Sequence, residues 1–222
     1  MSSHPPLDGV EVETGPNPRG SVIWMHGLGA DAHDFEPIVP ELDALIGIPL
    51  RFVFPNAPVR PITINAGHAM RAWFDIVDFG GPPDETATRE SGETIRALMR
   101  RENARGVASD LVVLAGFSQG GAMAVFTGVR HAERIAGIMA LSCFDPLPGT
   151  LAAERHAANQ QTPIFMAHGT QDPMVPLARA RKLQSDLTSL GYTVEWHDYP
   201  MPHSVSMEEV RDIAAWLKKI FG

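Results

Sequence analysis

Gly116-Phe117-Ser118-Gln119-Gly120 constrains this chain more than any other stretch. It lies between an apolar run, Leu111 to Ala115, and a helix-forming run, Gly121 to Val129. A serine in that context sits on a cramped strand-to-helix turn, a nucleophile elbow, where flanking glycines leave room that a Cβ would fill. The turn lifts the Ser118 hydroxyl above the sheet. It also points the Gln119 N–H and the new helix N-terminus at any oxyanion formed there. An elbow needs a sheet to stand on, and the rest of the chain supplies one.

Apolar or β-branched runs recur at Ser21–Met25, Leu50–Phe54, Leu111–Phe117, Ile135–Ser142 and Pro163–Ala167. Continuous runs of this kind fit central strands covered on both faces. Val10–Glu13 and Thr193–Tyr199 alternate apolar and polar residues, as outer strands do. Helical patterns fall between them, at Thr86–Arg105 before Gly106, at Leu177–Leu190 before Gly191, and at Ser206–Phe221. The last opens with Ser206-x-x-Glu209, a capping-box spacing. Alternation on this scale predicts an α/β domain with a mostly parallel sheet and helices on both faces. One domain over residues 1–222 is expected from the length. The Pro/Gly-rich stretches Pro55–Gly67, Gly80–Asp84 and Pro146–Gly149 read as loops.

An alcohol is a poor nucleophile near neutral pH, so Ser118 needs a base, and the base an orienting partner. Behind an elbow of this kind the acid and then the histidine follow on loops after later strands. Asp172 stands just past the apolar run Ile164–Ala167, in His168-Gly169-Thr170-Gln171-Asp172-Pro173. It reads equally as the orienting acid or as an Asx-turn residue before proline. Two histidines follow. His197 lies within an alternating strand. His203 lies on a loop after Pro200-Met201-Pro202, at a carboxyl edge, and is favoured as the base. The second oxyanion donor is expected from His26-Gly27-Leu28-Gly29, with the Leu28 N–H as donor; an ordinary tight turn is the competing reading. His26 and His168 both precede a glycine at a strand end, and a local hydrogen-bonding role fits each better than a ligand or base role.

Other classes of function are disfavoured. Net charge is −8, with no Lys/Arg block for nucleic acid or an anionic membrane. No His/Cys/Asp grouping has metal-ligand spacing, no nucleotide-binding glycine motif occurs, and no cofactor is expected. Cys143 is the lone cysteine, so no intrachain disulfide forms. With no signal-peptide pattern and no membrane-length apolar run, a cytoplasmic protein is the default.

Taken in order, the motifs resemble those of the carboxylesterase/acyl-protein thioesterase family of α/β-hydrolases, also called the phospholipase/carboxylesterase family. The resemblance runs from about Gly20 to Phe221. It is carried by His26-Gly27-Leu28-Gly29-Ala30-Asp31, Phe54-Pro55-Asn56-Ala57-Pro58, Met70-Arg71-Ala72-Trp73-Phe74-Asp75, the extended elbow Gly116-Phe117-Ser118-Gln119-Gly120-Gly121, His168-Gly169-Thr170-x-Asp172-x-x-Val175-Pro176, and His203-Ser204-Val205. It implies an α/β-hydrolase fold without a large lid domain. Ser118 would be nucleophile, Asp172 orienting acid, His203 base, and Leu28 and Gln119 backbone oxyanion donors. It also implies an acyl groove beside Trp73 and Phe74, with Met70, Ile64 and Ile62 as further candidates; packing of that loop onto the sheet is the alternative. Pro202 departs from the family, where glycine commonly precedes the histidine. The implied activity is hydrolysis of carboxylic esters of short to medium acyl chains, with acyl-protein thioesterase or lysophospholipase activity as the alternative and a non-catalytic binding module on the same fold as a third reading. The implied partner is a small ester or thioester substrate, and the implied state a monomer or homodimer.

Overall fold

A computed structural model describes residues 8–78 and 81–222. Its centre is a seven-stranded sheet in the order β1-β3-β2-β6-β7-β8-β9. These strands are β1 (Gly9–Glu13), β2 (Ser21–Met25), β3 (Arg51–Pro55), β6 (Val112–Phe117), β7 (Gly137–Leu141), β8 (Ile164–Gly169) and β9 (Val194–Tyr199). Only the edge strand β1 runs antiparallel, against β3; every other pairing is parallel. Strands β2, β3, β7 and β8 are buried along their whole length, which is why they read as unbroken apolar runs.

Successive strand residues face opposite layers. Ile23 and Met25 join a core with Ile95, Met99, Met123, Phe126 and Leu183. These come from α2 (Glu85–Ala104), α3 (Gln119–Val129) and α5 (Leu177–Ser189). Val22 and Trp24 face the other way, onto Leu42, Ile46, Val210, Ile213 and Leu217. These come from α1 (Val39–Ile46) and α6 (Met207–Phe221). Helices therefore cover both faces, as the periodicity predicts. Asp84 caps α2 by accepting the Ala87 N–H at 3.0 Å. Gly106 and Gly191 follow α2 and α5 with φ of +93° and +84°, the left-handed exit that glycine takes without steric cost. No helix among the described residues is long and apolar enough to cross a membrane.

The structure corrects two expectations and adds two short helices that the sequence pattern does not announce. Pro55–Gly67 is not a plain loop: β4 (Val59–Ile62) pairs antiparallel with β5 (His68–Arg71), and a short 3₁₀ turn at Thr63–Asn65 joins them. Proline in a two-stranded ribbon is tolerated because neither strand is central. The short helices α1 and α4 (Leu151–Glu154) lack enough turns to print a period. The capping box forms only by half. Ser206 Oγ accepts the Glu209 N–H at 3.2 Å, but the Glu209 carboxyl is fully buried and neither oxygen has a partner among the described residues. The expected loop Gly80–Asp84 lies in part outside the described residues.

Burial pushes the Glu209 carboxyl up to about 8 from an ordinary 4.5. The folded protein therefore holds a proton that the unfolded chain releases. The stability this contributes is complete below about pH 4.5 and is lost as pH rises through about 8. Glu209→Gln removes the titration. The expected result is a melting temperature raised by roughly 5 °C or more near pH 9 and nearly unchanged near pH 5, read by thermal denaturation at both values.

Candidate active site

Strand β6 delivers Ser118 to the carboxyl rim of the sheet. Its backbone is at φ 55° and ψ −119°, a conformation that costs a non-glycine residue about 1–3 kcal/mol. The surroundings impose it. Ser118 N–H donates to Leu141 O at 2.8 Å, and Ser118 O accepts Ala122 N–H at 3.0 Å as α3 begins. A Cβ at Gly116 would overlap the Gly120 backbone, and one at Gly120 would overlap the Met25 carbonyl. Both glycines are required because the turn folds tightly back on β2 and on its own helix.

The acid and histidine loops leave the neighbouring strands β8 and β9 at the same rim. They are joined by backbone bonds, Thr170 N–H to Tyr199 O at 2.8 Å and Gln171 N–H to Met201 O at 3.1 Å. The Asp172 side chain is fully buried, and its two oxygens have separate tasks. Oδ1 accepts the N–H groups of Met174 and Val175 at 2.8 and 2.9 Å, an Asx-type turn. Oδ2 lies 2.6 Å from His203 Nδ1. The Asx turn expected as one reading of the sequence is formed, and it leaves the second oxygen facing the imidazole. His203 leans on the Phe117 ring, with centroids 4.6 Å apart, and keeps one edge in the cleft. Pro202 sits in this loop with its carbonyl accepting the Ser204 N–H at 2.9 Å.

His168 is fully buried, with Nε2 2.9 Å from Val175 O and 3.5 Å from Asp172 Oδ2. Burial pushes its pKa down, so a neutral ring pins the acid loop. His197 is elsewhere: it stacks on Phe165 at 4.9 Å and lies 3.2 Å from Glu195.

Gly27 closes the site from the β2 side. A Cβ there would stand 3.4 Å from the Ser118 Cβ, so the loop backbone passes directly over the serine. Gly29 N–H is taken by Arg71 O at 2.9 Å, while the Leu28 and Gln119 N–H groups have no partner among the described residues. Ser118, His203, Leu28 and Gln119 share one cleft of about 300 Å³. Ile64 and Met70, reached through the β4–β5 ribbon, form part of its apolar wall. Trp73 and Phe74 do not: they are 0% and 3% exposed and lie beneath the site. Ile62 is likewise buried, at 0%. A tryptophan carries an N–H that needs an acceptor when buried, and Trp73 Nε1 finds His26 O at 2.9 Å. Sequence reasoning passed over Ile76, Phe144 and Met174, which complete the wall. Phe144 and Met174 follow strands β7 and β8 at their carboxyl ends, a position that itself signals a site. Among the described residues no group of three or more His, Cys, Asp or Glu side chains could hold a metal ion.

Comparison with known proteins agrees with this architecture. A family model described as phospholipase/carboxylesterase matches residues 8–221. The chain is similar to acyl-protein thioesterase 1 of Mycosarcoma maydis, 35% identical, with 95% of each chain covered. It is also similar to carboxylesterase SOBER1 of Arabidopsis thaliana, 31% identical, with 90% of each covered. The crystal structure of Arabidopsis thaliana SOBER1 superposes with a TM-score of 0.86 at 30% identity, over 91% of this chain and 99% of that one. A sheet with one antiparallel edge, an elbow serine at its rim and a family match over nearly all the chain lead to one conclusion: the chain belongs to the phospholipase/carboxylesterase family of α/β-hydrolases.

Proposed function

We propose that this protein is a serine hydrolase that cleaves carboxylic esters of short to medium acyl chains through an acyl-serine intermediate. The observation that carries the reading is the 2.6 Å pairing of Asp172 with His203 beside a serine held on a strained elbow in the same cleft. Asp172 accepts from Nδ1–H, which leaves Nε2 as the basic nitrogen. His203 takes the Ser118 proton as Ser118 attacks the ester carbonyl. The Leu28 and Gln119 N–H groups hold the oxyanion, each lowering the barrier by roughly 3 kcal/mol. His203 protonates the leaving alcohol, and water activated by the same imidazole then releases the acid. The acyl chain lies against Leu28, Ile64, Met70, Ile76 and Phe144. The chain acts as one domain over residues 1–222, without cofactor or nucleic acid, as a cytoplasmic monomer or homodimer.

The relatives named acyl-protein thioesterase 1 favour a second reading, in which the acyl group arrives on a cysteine sulfur. A lysophospholipid would pass through the same acyl-enzyme. A non-catalytic binding module is disfavoured, because nothing in mere ligand binding calls for a strained serine and a paired histidine. The test measures kcat/KM on p-nitrophenyl esters of increasing acyl length and on an S-acylated cysteine peptide. The ester reading expects the highest values on short to medium esters. A clear preference for the long-chain S-acyl peptide replaces it with the thioesterase reading, and no turnover of any of these substrates leaves the binding module.

A further inference from the structure

We infer that His26 and Trp73 are positioning residues for the oxyanion donors: two buried side chains that clamp the carbonyls on either side of Gly27, tie them to Gln119, and so set the direction of the Leu28 N–H. The inference rests on the hydrolase reading above and adds to it the device that holds the donors in place.

The hydrogen bonds of His26 fix its tautomer. Nε2 lies 3.0 Å from the Ala57 nitrogen, whose N–H can only donate, so Nε2 accepts. The ring is 2% exposed and burial pushes its pKa down, so it carries a single proton, on Nδ1. Nδ1 lies 2.7 Å from Gly27 O and donates to it. That carbonyl belongs to the same peptide plane as the Leu28 N–H. There are no cis peptide bonds among the described residues, and in a trans peptide the C=O and N–H point in opposite directions. Holding the oxygen against His26 therefore turns the N–H away from it. Donation to the oxygen also polarises the peptide and makes its N–H a stronger donor.

The preceding carbonyl is held as well. His26 O accepts Trp73 Nε1–H at 2.9 Å. Trp73 in turn donates its backbone N–H to Gln119 Oε1 at 3.0 Å, and Gln119 Nε2 donates to Phe74 O at 2.9 Å. Ser91 Oγ donates to Trp73 O. An unbroken chain of buried bonds thus runs from the Gly27–Leu28 peptide to the side chain of the residue that supplies the other donor. It fixes the distance between the two N–H groups, which must close on one oxygen atom. Burial alone does not produce such a chain: Trp24 is equally buried, and its indole N–H has no partner among the described residues.

The test compares His26→Leu, His26→Asn and Trp73→Phe with the wild type. Leucine fills the space and makes neither bond. Asparagine places an amide nitrogen near the Nδ1 position and keeps the donation to Gly27 O. Phenylalanine at 73 removes the N–H. The readouts are kcat and KM on a p-nitrophenyl ester, the affinity of a trifluoromethyl ketone whose Ser118 adduct carries an oxyanion, and the melting temperature. Misaiming one donor forfeits part of the 10²–10³-fold that its loss costs. The expected results are a kcat lowered about 100-fold in His26→Leu and about 10-fold in Trp73→Phe, with KM within about threefold and ketone affinity falling in parallel. His26→Asn is expected to recover at least about tenfold over His26→Leu. Equal activity in the Leu and Asn variants overturns the inference. So does ketone affinity that stays at the wild-type value in variants whose melting temperature shows them folded. If one variant fails to fold, the remaining two decide. Absence of turnover of both the ester and the S-acylated peptide in the wild type defeats the hydrolase reading itself, whereas turnover in the wild type with unaltered variants defeats only this inference.

Discussion

Replacing Ser118 with alanine is expected to lower kcat for ester hydrolysis by on the order of 10⁶-fold. The size of the effect follows from the logic of the site. Without the hydroxyl there is no acyl-enzyme, and His203 has nothing to deprotonate in the first step. What survives is the contribution of the oxyanion donors and substrate binding, roughly 10³–10⁴-fold over water. Stability should stay within about 1 kcal/mol of the wild type, because alanine meets the same strain at φ 55° that serine does and removes no bond made to the hydroxyl among the described residues. Activity against the ester series and a thermal melt of the same preparation check both halves.

Asp172→Asn is expected to lower kcat by about 10⁴-fold with little change in fold. Oδ1 accepts two backbone N–H groups, from Met174 and Val175. An amide NH₂ placed there would face two donors, so the asparagine oxygen must take that position. Its nitrogen then replaces Oδ2, 2.6 Å from His203 Nδ1. A donor in that place forces Nδ1 to become an acceptor and moves the imidazole proton to Nε2, the nitrogen that must remain free to accept from Ser118. The site keeps its shape and loses its base. The measurement is kcat at a pH well above the ordinary histidine value, with melting temperature as the control for folding.

The residues behind these predictions could be picked out in the sequence because they stand where local chain chemistry is distinctive. Ser118 is bracketed by glycines that contact with β2 and α3 makes obligatory. Asp172 and His203 follow strands that read as strands. The central sheet could be read for the same reason: strands buried on both faces carry unbroken apolar runs. The β4–β5 ribbon could not, since two four-residue strands with exposed positions, the first interrupted by Pro61, have neither the length nor the alternation that marks a strand. Trp73 shows a different limit. A loop sequence says that an aromatic residue is present, not which way it faces, and here the ring turns inward to satisfy its N–H on His26. Glu209 shows a third. Ser206-x-x-Glu209 is a sound N-terminal signature, yet the carboxyl is buried and the reciprocal bond unmade.

Within one cleft, His203 and Asp172 are expected to make Ser118 nucleophilic. Treatment of the wild-type protein with a fluorophosphonate, followed by peptide mass analysis, puts this to the test. The expected result is a single covalent adduct, on the peptide containing Ser118, that disappears in Ser118→Ala and forms far more slowly in Asp172→Asn. A wild-type protein that stays unlabelled, or one labelled equally well with alanine at position 118, would contradict it.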